Sequence, residues 1–149
     1  HELGLSGNVI VLNGSVADLN SQSVIKTLIK DRWELSELEA SYREFLSFYR
    51  PICQKLLNTQ DQSDQLSSEE CFLLRATLIH DYRRVLLRDP DFPQAMLAQG
   101  WVGYEAHDLV KRMYKVLAEP STDYIQENMN NAQGKLPEAS SKFYQRFVS

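Results

Sequence analysis

An apolar helix that carries an unusual load of charge is predicted by the stretch Leu78-Ile79-His80-Asp81-Tyr82-Arg83-Arg84-Val85-Leu86-Leu87-Arg88-Asp89-Pro90. The stretch places a histidine, two aspartates and three arginines among large hydrophobic residues. Polar groups on a half-buried helix must find partners, because burying an unpaired polar group costs free energy. The stretch therefore predicts a central helix whose polar side chains are paired with neighbouring groups. It does not indicate which reaction, if any, the protein catalyses.

The limits of this helix are indicated on both sides of it. The sequence Ser67-Ser68-Glu69-Glu70 is a capping box, in which the Ser67 hydroxyl accepts from the Glu70 amide while the Glu70 carboxylate reaches back. Asp89-Pro90 ends the helix, because a residue that precedes proline is biased away from helical backbone angles. We therefore predict a helix that starts at the Ser67 cap and continues to Arg88.

Two helices are predicted before it from apolar stripes of period 3.6. A short one covers 20–33, and a long one covers 35–57 with Pro51 inside it. Proline removes a backbone hydrogen bond and clashes with the preceding turn. We therefore expect a kink at 47–50 or two helices in succession.

The region after residue 90 also predicts helical structure. Residues 93–97 favour a short helical turn, and an apolar stripe predicts a helix over 104–117. Pro120 suits the first position of a helix, where its missing N–H is not needed, so we predict a separate last helix from Pro120 to about Asn128. Residues 130–141 are polar and predict a loop.

One strand is predicted near the start of the chain. Residues 8–13 form a β-branched apolar run between Gly7 and Gly14, and nothing later offers an equally good partner strand. A single strand leaves backbone groups unpaired, so we expect it to belong to a sheet in a preceding part of a longer protein. The predicted fold class is mainly α: a helical bundle with one N-terminal β-strand left over from that sheet.

Composition restricts the class of protein. The chain has 149 residues and a formal net charge of −4, so it lacks the basic surface of a module that grips nucleic-acid phosphates. Cys53 and Cys71 have no metal-binding spacing and fit reduced thiols. No apolar run approaches the ~20 residues that span a bilayer. We expect a cytoplasmic protein that does not enter a membrane.

The order of motifs resembles the C-terminal region of the PaaX family, bacterial transcriptional repressors of phenylacetic acid catabolism. The match rests on the charged helix followed by a Trp-x-Gly turn and, at the end, a cluster of aromatic residues. The residues that carry it are Trp33, Leu35, Tyr42 and Phe45, then the stretch 78–90, Pro93, Leu97, Trp101-Val102-Gly103, Ala106 and Tyr114, and finally Phe143-Tyr144-Gln145-Arg146-Phe147.

The resemblance implies a parent protein of three parts. These would be an N-terminal winged helix that binds the operator, a middle ferredoxin-like (Cas2-like) domain, and this helical domain. Residues 1–19 would then be the last strand and linker of the middle domain, and residues 20–149 the PaaX-like C-terminal domain. It also implies a non-enzymatic regulator without a cofactor, a homodimer, release from DNA by phenylacetyl-coenzyme A or a related aryl-acyl-coenzyme A, and DNA contact only through the winged helix.

Effector contacts are predicted on and beside the charged helix. Arginine binds phosphates through several N–H donors, so Arg83, Arg84 and Arg88 are candidates for the phosphates of a coenzyme A thioester. His80, Tyr82 and Trp101 are candidates for the rest of such a ligand, since an aryl group needs an aromatic lining. The predicted effector-binding residues are His80, Tyr82, Arg83, Arg84, Arg88 and Trp101.

A structural interpretation stands beside the effector hypothesis. Asp81 and Arg84 are three residues apart and can meet on one helix face, which favours an ion-pair network that ties the helix to its neighbours. Aromatic residues at helical spacing are usually core residues. On this view the domain is a purely structural interface without a ligand.

The third alternative is an enzyme. His80-Asp81 and His107-Asp108 are His-Asp pairs of the kind found in metal-dependent phosphohydrolases of the HD type. That chemistry needs several histidines and aspartates around one or two metal ions, with a metal-bound water as nucleophile. The chain has three histidines, one of them at position 1. We therefore predict no metal site and no catalytic residues.

Overall fold

The computed structural model describes residues 35–58 and 65–137. The predicted strand at 8–13, the predicted helix at 20–33 and the aromatic segment 142–147 lie outside these residues. Within the described ranges the chain forms helix α1 (Leu35–Asn58), helix α2 (Ser68–Leu86), a 3-10 turn (Gln94–Met96), helix α3 (Val102–Asn128) and a hairpin of strands β1 (Asn130–Asn131) and β2 (Gly134–Lys135). The mainly helical prediction is confirmed for this part of the chain.

Helix α1 runs unbroken through Pro51. The alternative of two successive helices is therefore wrong, whereas the predicted limits of the helix are confirmed to within one residue. The helix continues because its tertiary contacts outweigh one lost backbone hydrogen bond. Its inner face is apolar and aromatic, and consists of Leu38, Tyr42, Phe45, Leu46, Tyr49 and Cys53.

Helix α2 begins at the predicted capping box. The Ser67 hydroxyl accepts from the Glu70 amide at 3.2 Å, and the Ser67 amide donates to the Glu70 carboxylate at 2.8 Å. The Ser67 hydroxyl lies 2.9 Å from the same carboxylate, and the bonds from the Ser67 amide and hydroxyl favour its charged form and lower the pKa of Glu70. The helix ends at Leu86, two residues before the predicted end, and residues 87–88 form a turn ahead of Asp89-Pro90.

Helix α3 contradicts the prediction of a separate last helix, because Pro120 lies inside it. Polar side chains donate hydrogen bonds to backbone carbonyls in the turn before Pro120. The Ser121 hydroxyl donates to the Leu117 carbonyl, and the Thr122 hydroxyl donates to the Ala118 carbonyl at 2.7 Å. Arg75 of α2 donates to the same Ala118 carbonyl at 3.2 Å. Pro120 removes one backbone bond, to the Val116 carbonyl, and the helix passes through it because its packing against the other helices outweighs that loss.

The three helices enclose one apolar core. Helix α3 packs against both other helices and contributes most of the residues without solvent exposure. The exposed ion pairs Arg43–Glu39, Arg50–Glu105 and Arg88–Glu37 add little to this packing, since exposed pairs gain little free energy. The largest side chains with less than 2% exposure are Tyr42, Tyr49, Leu78, Leu109, Val110, Met113, Leu117 and Ser121.

A short antiparallel hairpin follows α3, where the sequence predicted a loop over 130–141. Asn130 pairs with Lys135, and Asn131 pairs with Gly134. The Asn131 side chain accepts from the Gln133 amide at 2.8 Å, and Gly134 adopts a φ of 118° that other residues rarely reach.

None of the helices in the described ranges has the length and apolar character of a membrane-spanning helix.

Candidate functional site

Two tyrosines of α1 are hydrogen-bonded to two aspartates of residues 78–90, which we call the charged stretch. The Tyr49 hydroxyl donates to Asp81 at 2.7 Å, and the Tyr42 hydroxyl donates to Asp89 at 2.6 Å. Both tyrosines are 1% exposed, so these are charge-assisted bonds at the edge of the core. Burial, followed by the bond to the aspartate and its negative charge, raises the pKa of each tyrosine above its ordinary value.

Asp89 also shapes the turn that ends α2. One of its carboxylate oxygens accepts from Tyr42, and the other accepts from the Asp91 amide at 2.9 Å. Asp91 itself adopts a φ of 53°, a left-handed conformation that aspartate tolerates better than most residues. The aspartate that ends the charged stretch therefore fixes both the turn and its attachment to α1.

A groove of about 710 Å³ runs between α1 and α2, beside these bonds. We call it the arginine groove, because Arg84 in the last turn of α2 and Arg88 in the turn after it line one side of the groove. Arg88 reaches α1 through long contacts, to the Ser41 hydroxyl at 3.4 Å and to Glu37 at 3.5 Å. The groove is lined by Ser41, Glu44, Phe45, Ser47, Phe48, Tyr49, Asp81, Arg84, Val85 and Arg88.

Aromatic rings form the α1 side of the arginine groove. Tyr49 lies between two phenylalanines, with ring centroids 4.7 Å from Phe45 and 4.9 Å from Phe48. Phe48 is 61% exposed although it is large and apolar. The groove thus offers an aromatic surface opposite two guanidinium groups, which can bind a flat apolar group and an anion at once.

The structure separates the predicted effector residues into three places. Arg84 and Arg88 share the arginine groove. His80 and Arg83 are exposed and do not line that groove. Tyr82 and Trp101 are buried in the core at 6% and 7% exposure. The six residues are therefore not assembled into one pocket within the described part of the chain.

Tyr82 faces α3 as well as α1. Its ring centroid lies 5.6 Å from that of Phe45, and its hydroxyl is 3.2 Å from Nδ1 of the exposed His107. Burial, with a smaller contribution from Asp89, raises the pKa of Tyr82 to about 12. This tyrosine joins the charged helix to α3, beneath the aromatic side of the arginine groove.

Trp101 lies at the start of α3 and packs edge-on against Tyr42, with ring centroids 6.2 Å apart. Gly103 is buried beneath it. A Cβ atom at position 103 would lie 2.6 Å from Trp101 Nε1 and 3.3 Å from Tyr42 Cε2. Glycine is needed here because the indole and the phenol approach the backbone too closely for any other side chain.

The predicted contact between Asp81 and Arg84 is replaced by a longer-range one. Asp81 accepts from Tyr49, and none of the ion pairs formed by residues 35–58 and 65–137 joins it to Arg84. A phenol from α1 meets the half-buried carboxylate without adding a second charge that would itself lose solvation. Arg84 consequently faces the groove.

The histidine-aspartate pairs do not form a metal-binding group in the described ranges. No three His, Cys, Asp or Glu side chains there are arranged to hold a metal ion. His107 contacts Tyr82, and His80 lies on the exposed side of α2.

Cys53 and Cys71 are both buried free thiols. Burial raises the pKa of Cys71, which disfavours a reactive thiolate.

Sequence reasoning missed the α1 side of the arginine groove. Phe48 and Ser47 fall between the apolar positions of α1, where the pattern indicates a solvated face. The available signal was Phe48 itself, because a large aromatic residue on the polar side of a helix is a common mark of a binding surface.

The sequence of residues 33–127 matches the family described as PaaX-like protein C-terminal domain. The chain belongs to that family. The match covers α1, α2 and all but the last residue of α3. The chain is also 31% identical over 147 residues to the Transcriptional repressor PaaX of Escherichia coli (strain K12), across 99% of this chain. It spans 46% of the length of that relative.

The side-chain contacts explain the residues on which the PaaX-like resemblance rests. The two aspartates of the charged stretch bind Tyr49 and Tyr42, while Tyr82 reaches His107. The Trp-x-Gly turn lets Trp101 cover the start of α3. In this chain most of the PaaX-like motif therefore holds the bundle together, whereas two of its arginines stay at a groove.

Proposed function

We propose that the chain is the C-terminal regulatory domain, residues 20–149, of a PaaX-like transcriptional repressor that acts in the cytoplasm. Residues 1–19 would be the last strand and linker of a ferredoxin-like domain, and a winged helix before that domain would bind DNA. The family match and the 46% coverage of the curated repressor support this arrangement. The net charge of −4 supports a role for this part that does not include gripping DNA.

The effector would be phenylacetyl-coenzyme A or a related aryl-acyl-coenzyme A, bound in the arginine groove. The observation that carries this proposal is the pairing of Arg84 and Arg88 with the aromatic rings on the α1 side. Guanidinium groups suit the phosphates of coenzyme A, and the exposed Phe48 suits an aryl group. Arg88 would exchange its long, exposed contact with Glu37 for a phosphate at little cost in free energy.

The position of the groove suits a regulatory role. It reaches Ser41, less than two turns from the start of α1, and therefore lies close to the segment that leads back toward the preceding domains. An effector that also contacts that segment would favour one arrangement of the domains over another. Such a preference would move the repressor away from its DNA-binding state, since a ligand shifts an equilibrium only by its difference in affinity for the two states.

The effector proposal is tested by thermal unfolding of the full-length repressor and of this chain, each with increasing phenylacetyl-coenzyme A. We expect a larger rise in Tm for the full-length protein. Free coenzyme A serves as the matched control, because it has the phosphates without the aryl group. A full-length protein that still binds its operator but shows no rise in Tm at saturating thioester would contradict the proposal, and would leave a purely structural role for the domain.

We propose further that the repressor is a homodimer and that this domain contributes to it without being an enzyme. Leu87 is 80% exposed and Leu86 is 41% exposed at the end of α2, which supports a contact surface there. Sedimentation of the wild-type chain and of Leu87→Asp tests this. The proposal expects the dimer to weaken in the variant, and an unchanged monomeric mass in both proteins would contradict it.

A further inference from the structure

A second groove, of about 370 Å³, opens at the opposite end of α1, where α2 begins. We call it the end groove. It is mainly apolar, and one of its lining residues, Leu66, is exposed although it is large and hydrophobic. An open apolar groove with exposed hydrophobic side chains is typical of a docking surface. The end groove is lined by Pro51, Ile52, Lys55, Leu56, Gln65, Leu66 and Leu74.

The end of α3 lies at the same end of the bundle. The ring of Tyr124 stacks on Phe72 of α2, with centroids 5.3 Å apart, and its hydroxyl donates to Glu69 at 3.4 Å. The hairpin then turns the chain back, because Asn130 pairs with Lys135. The described residues therefore stop at Pro137 close to the end of α3 and on the side of the bundle where α2 begins.

We propose that residues 142–147, Lys142-Phe143-Tyr144-Gln145-Arg146-Phe147, dock in the end groove. Three of these six residues are aromatic, and such side chains need an apolar surface to cover them. The six residues from Pro137 to Phe143 can span up to ~20 Å. Packed helices lie ~8–10 Å apart, so this length is sufficient to pass from the end of α3 to the groove between its neighbours.

Charge supports the same occupant. The first turn of α2 carries Glu69 and Glu70, and the last turns of α3 carry Asp123 and Glu127. All four side chains are exposed and negative, at the end of the bundle where α2 begins and α3 ends. Lys142 and Arg146 alternate with the aromatic residues of the segment and would face this acidic edge while the rings enter the apolar groove. The proposal is independent of the effector and of the arginine groove.

Partial digestion of the full chain with trypsin tests the docking, because cleavage after Lys142 and Arg146 reports how often the segment is released. In the test variant, Leu66→Asp, a charge replaces an apolar side chain of the groove while the contact of Cys71 Sγ with the Leu66 carbonyl involves only the backbone. The control is Tyr104→Asp, which introduces the same charge at an exposed residue near the start of α3, at the opposite end of the bundle.

We expect cleavage after Lys142 and Arg146 to be about tenfold faster in Leu66→Asp than in the wild-type chain and in Tyr104→Asp. Equal rates in all three proteins would overturn the proposal. Faster cleavage after Lys26 and Lys30 instead would assign the groove to residues 20–33. Protection that grows with protein concentration would assign it to a second copy of the chain.

A reciprocal variant keeps the test decisive if Leu66→Asp fails to fold. Phe143→Ser combined with Phe147→Ser leaves every residue of the groove in place. The proposal expects this variant to bind the apolar dye anilinonaphthalene sulfonate more strongly than the wild-type chain, because the end groove is uncovered. Equal dye binding, with an unchanged circular-dichroism spectrum, would overturn the docking.

Discussion

The hydroxyl of Tyr49 donates a 2.7 Å hydrogen bond to the carboxylate of Asp81, 32 residues further along the chain. Tyr42 and Asp89 repeat the relationship two turns away on α1, at 2.6 Å. Together the two bonds attach the charged stretch to α1 along the length of the arginine groove. The aspartates are thereby used for attachment, and Arg84 remains at the groove surface.

Removing the carboxylate of Asp81 is expected to destabilise the chain. Asp81→Ala leaves the buried Tyr49 hydroxyl without its acceptor, and Tyr49→Phe removes the donor; each should cost ~1–3 kcal/mol in the free energy of unfolding. The double variant should cost less than the sum of the two, since both remove one bond. Urea unfolding of the four proteins measures these values.

The control for this cycle is Asp123→Ala, which removes an exposed aspartate of α3 and should change the free energy of unfolding by less than ~0.5 kcal/mol. If the losses in the free energy of unfolding from Asp81→Ala and Tyr49→Phe are additive, the bond between the two side chains does not contribute to stability. A loss within ~0.5 kcal/mol for Asp81→Ala would show that its carboxylate is merely solvated.

The tyrosines predict a loss of stability at alkaline pH. Their pKa values are raised in the folded chain, for Tyr82 to about 12, so the unfolded chain loses these protons first as the pH rises above ~10. The stabilisation is complete below pH ~10 and is lost as the pH passes through the raised values, by up to ~1.4 kcal/mol per pH unit for each tyrosine. Urea midpoints between pH 8 and 11.5 should fall more steeply for the wild-type chain than for Tyr49→Phe. Parallel curves would contradict this assignment.

Gly103 is expected to tolerate no side chain. In Gly103→Ala the new Cβ meets Trp101 Nε1, so we expect a loss of ~1–3 kcal/mol in the free energy of unfolding. Trp101→Phe removes that nitrogen, and the combination of the two changes should therefore cost less than their sum. Additive costs, measured by urea unfolding, would show that the close approach of the indole does not restrict position 103.

Features of the fold that depend on neighbouring residues could be predicted from sequence. The capping box at Ser67 involves only four consecutive residues, and the limits of α1 follow from its own apolar stripe. Pro120 could not be placed in the same way, because a proline at the first position of a helix and one inside a helix look alike locally. What decides between them is the packing of α3 against the other helices, which no local pattern shows.

The candidate site was predictable only in part for the same reason. The sequence identified Arg84 and Arg88, but helical spacing paired Asp81 with Arg84, because Tyr49 lies too far along the chain for any local rule. Trp101 and Tyr82 carry the right chemistry for an aryl ligand, yet packing against Tyr42 and Phe45 buries them. Which polar residues face a groove depends on how the helices pack together.

The central claim is that Arg84 and Arg88 bind the phosphates of an aryl-acyl-coenzyme A, and calorimetric titration of the full-length repressor with phenylacetyl-coenzyme A tests it most directly. Arg83→Gln is the matched control, since it removes the same charge from the neighbouring position outside the groove. We expect Arg84→Gln and Arg88→Gln each to raise Kd by about ten- to a hundredfold, the loss of one charge-assisted contact of ~1.5–3 kcal/mol, with Arg83→Gln close to wild type. Equal affinity in all four proteins, or a loss in Arg83→Gln as large as in the other two, would contradict the claim.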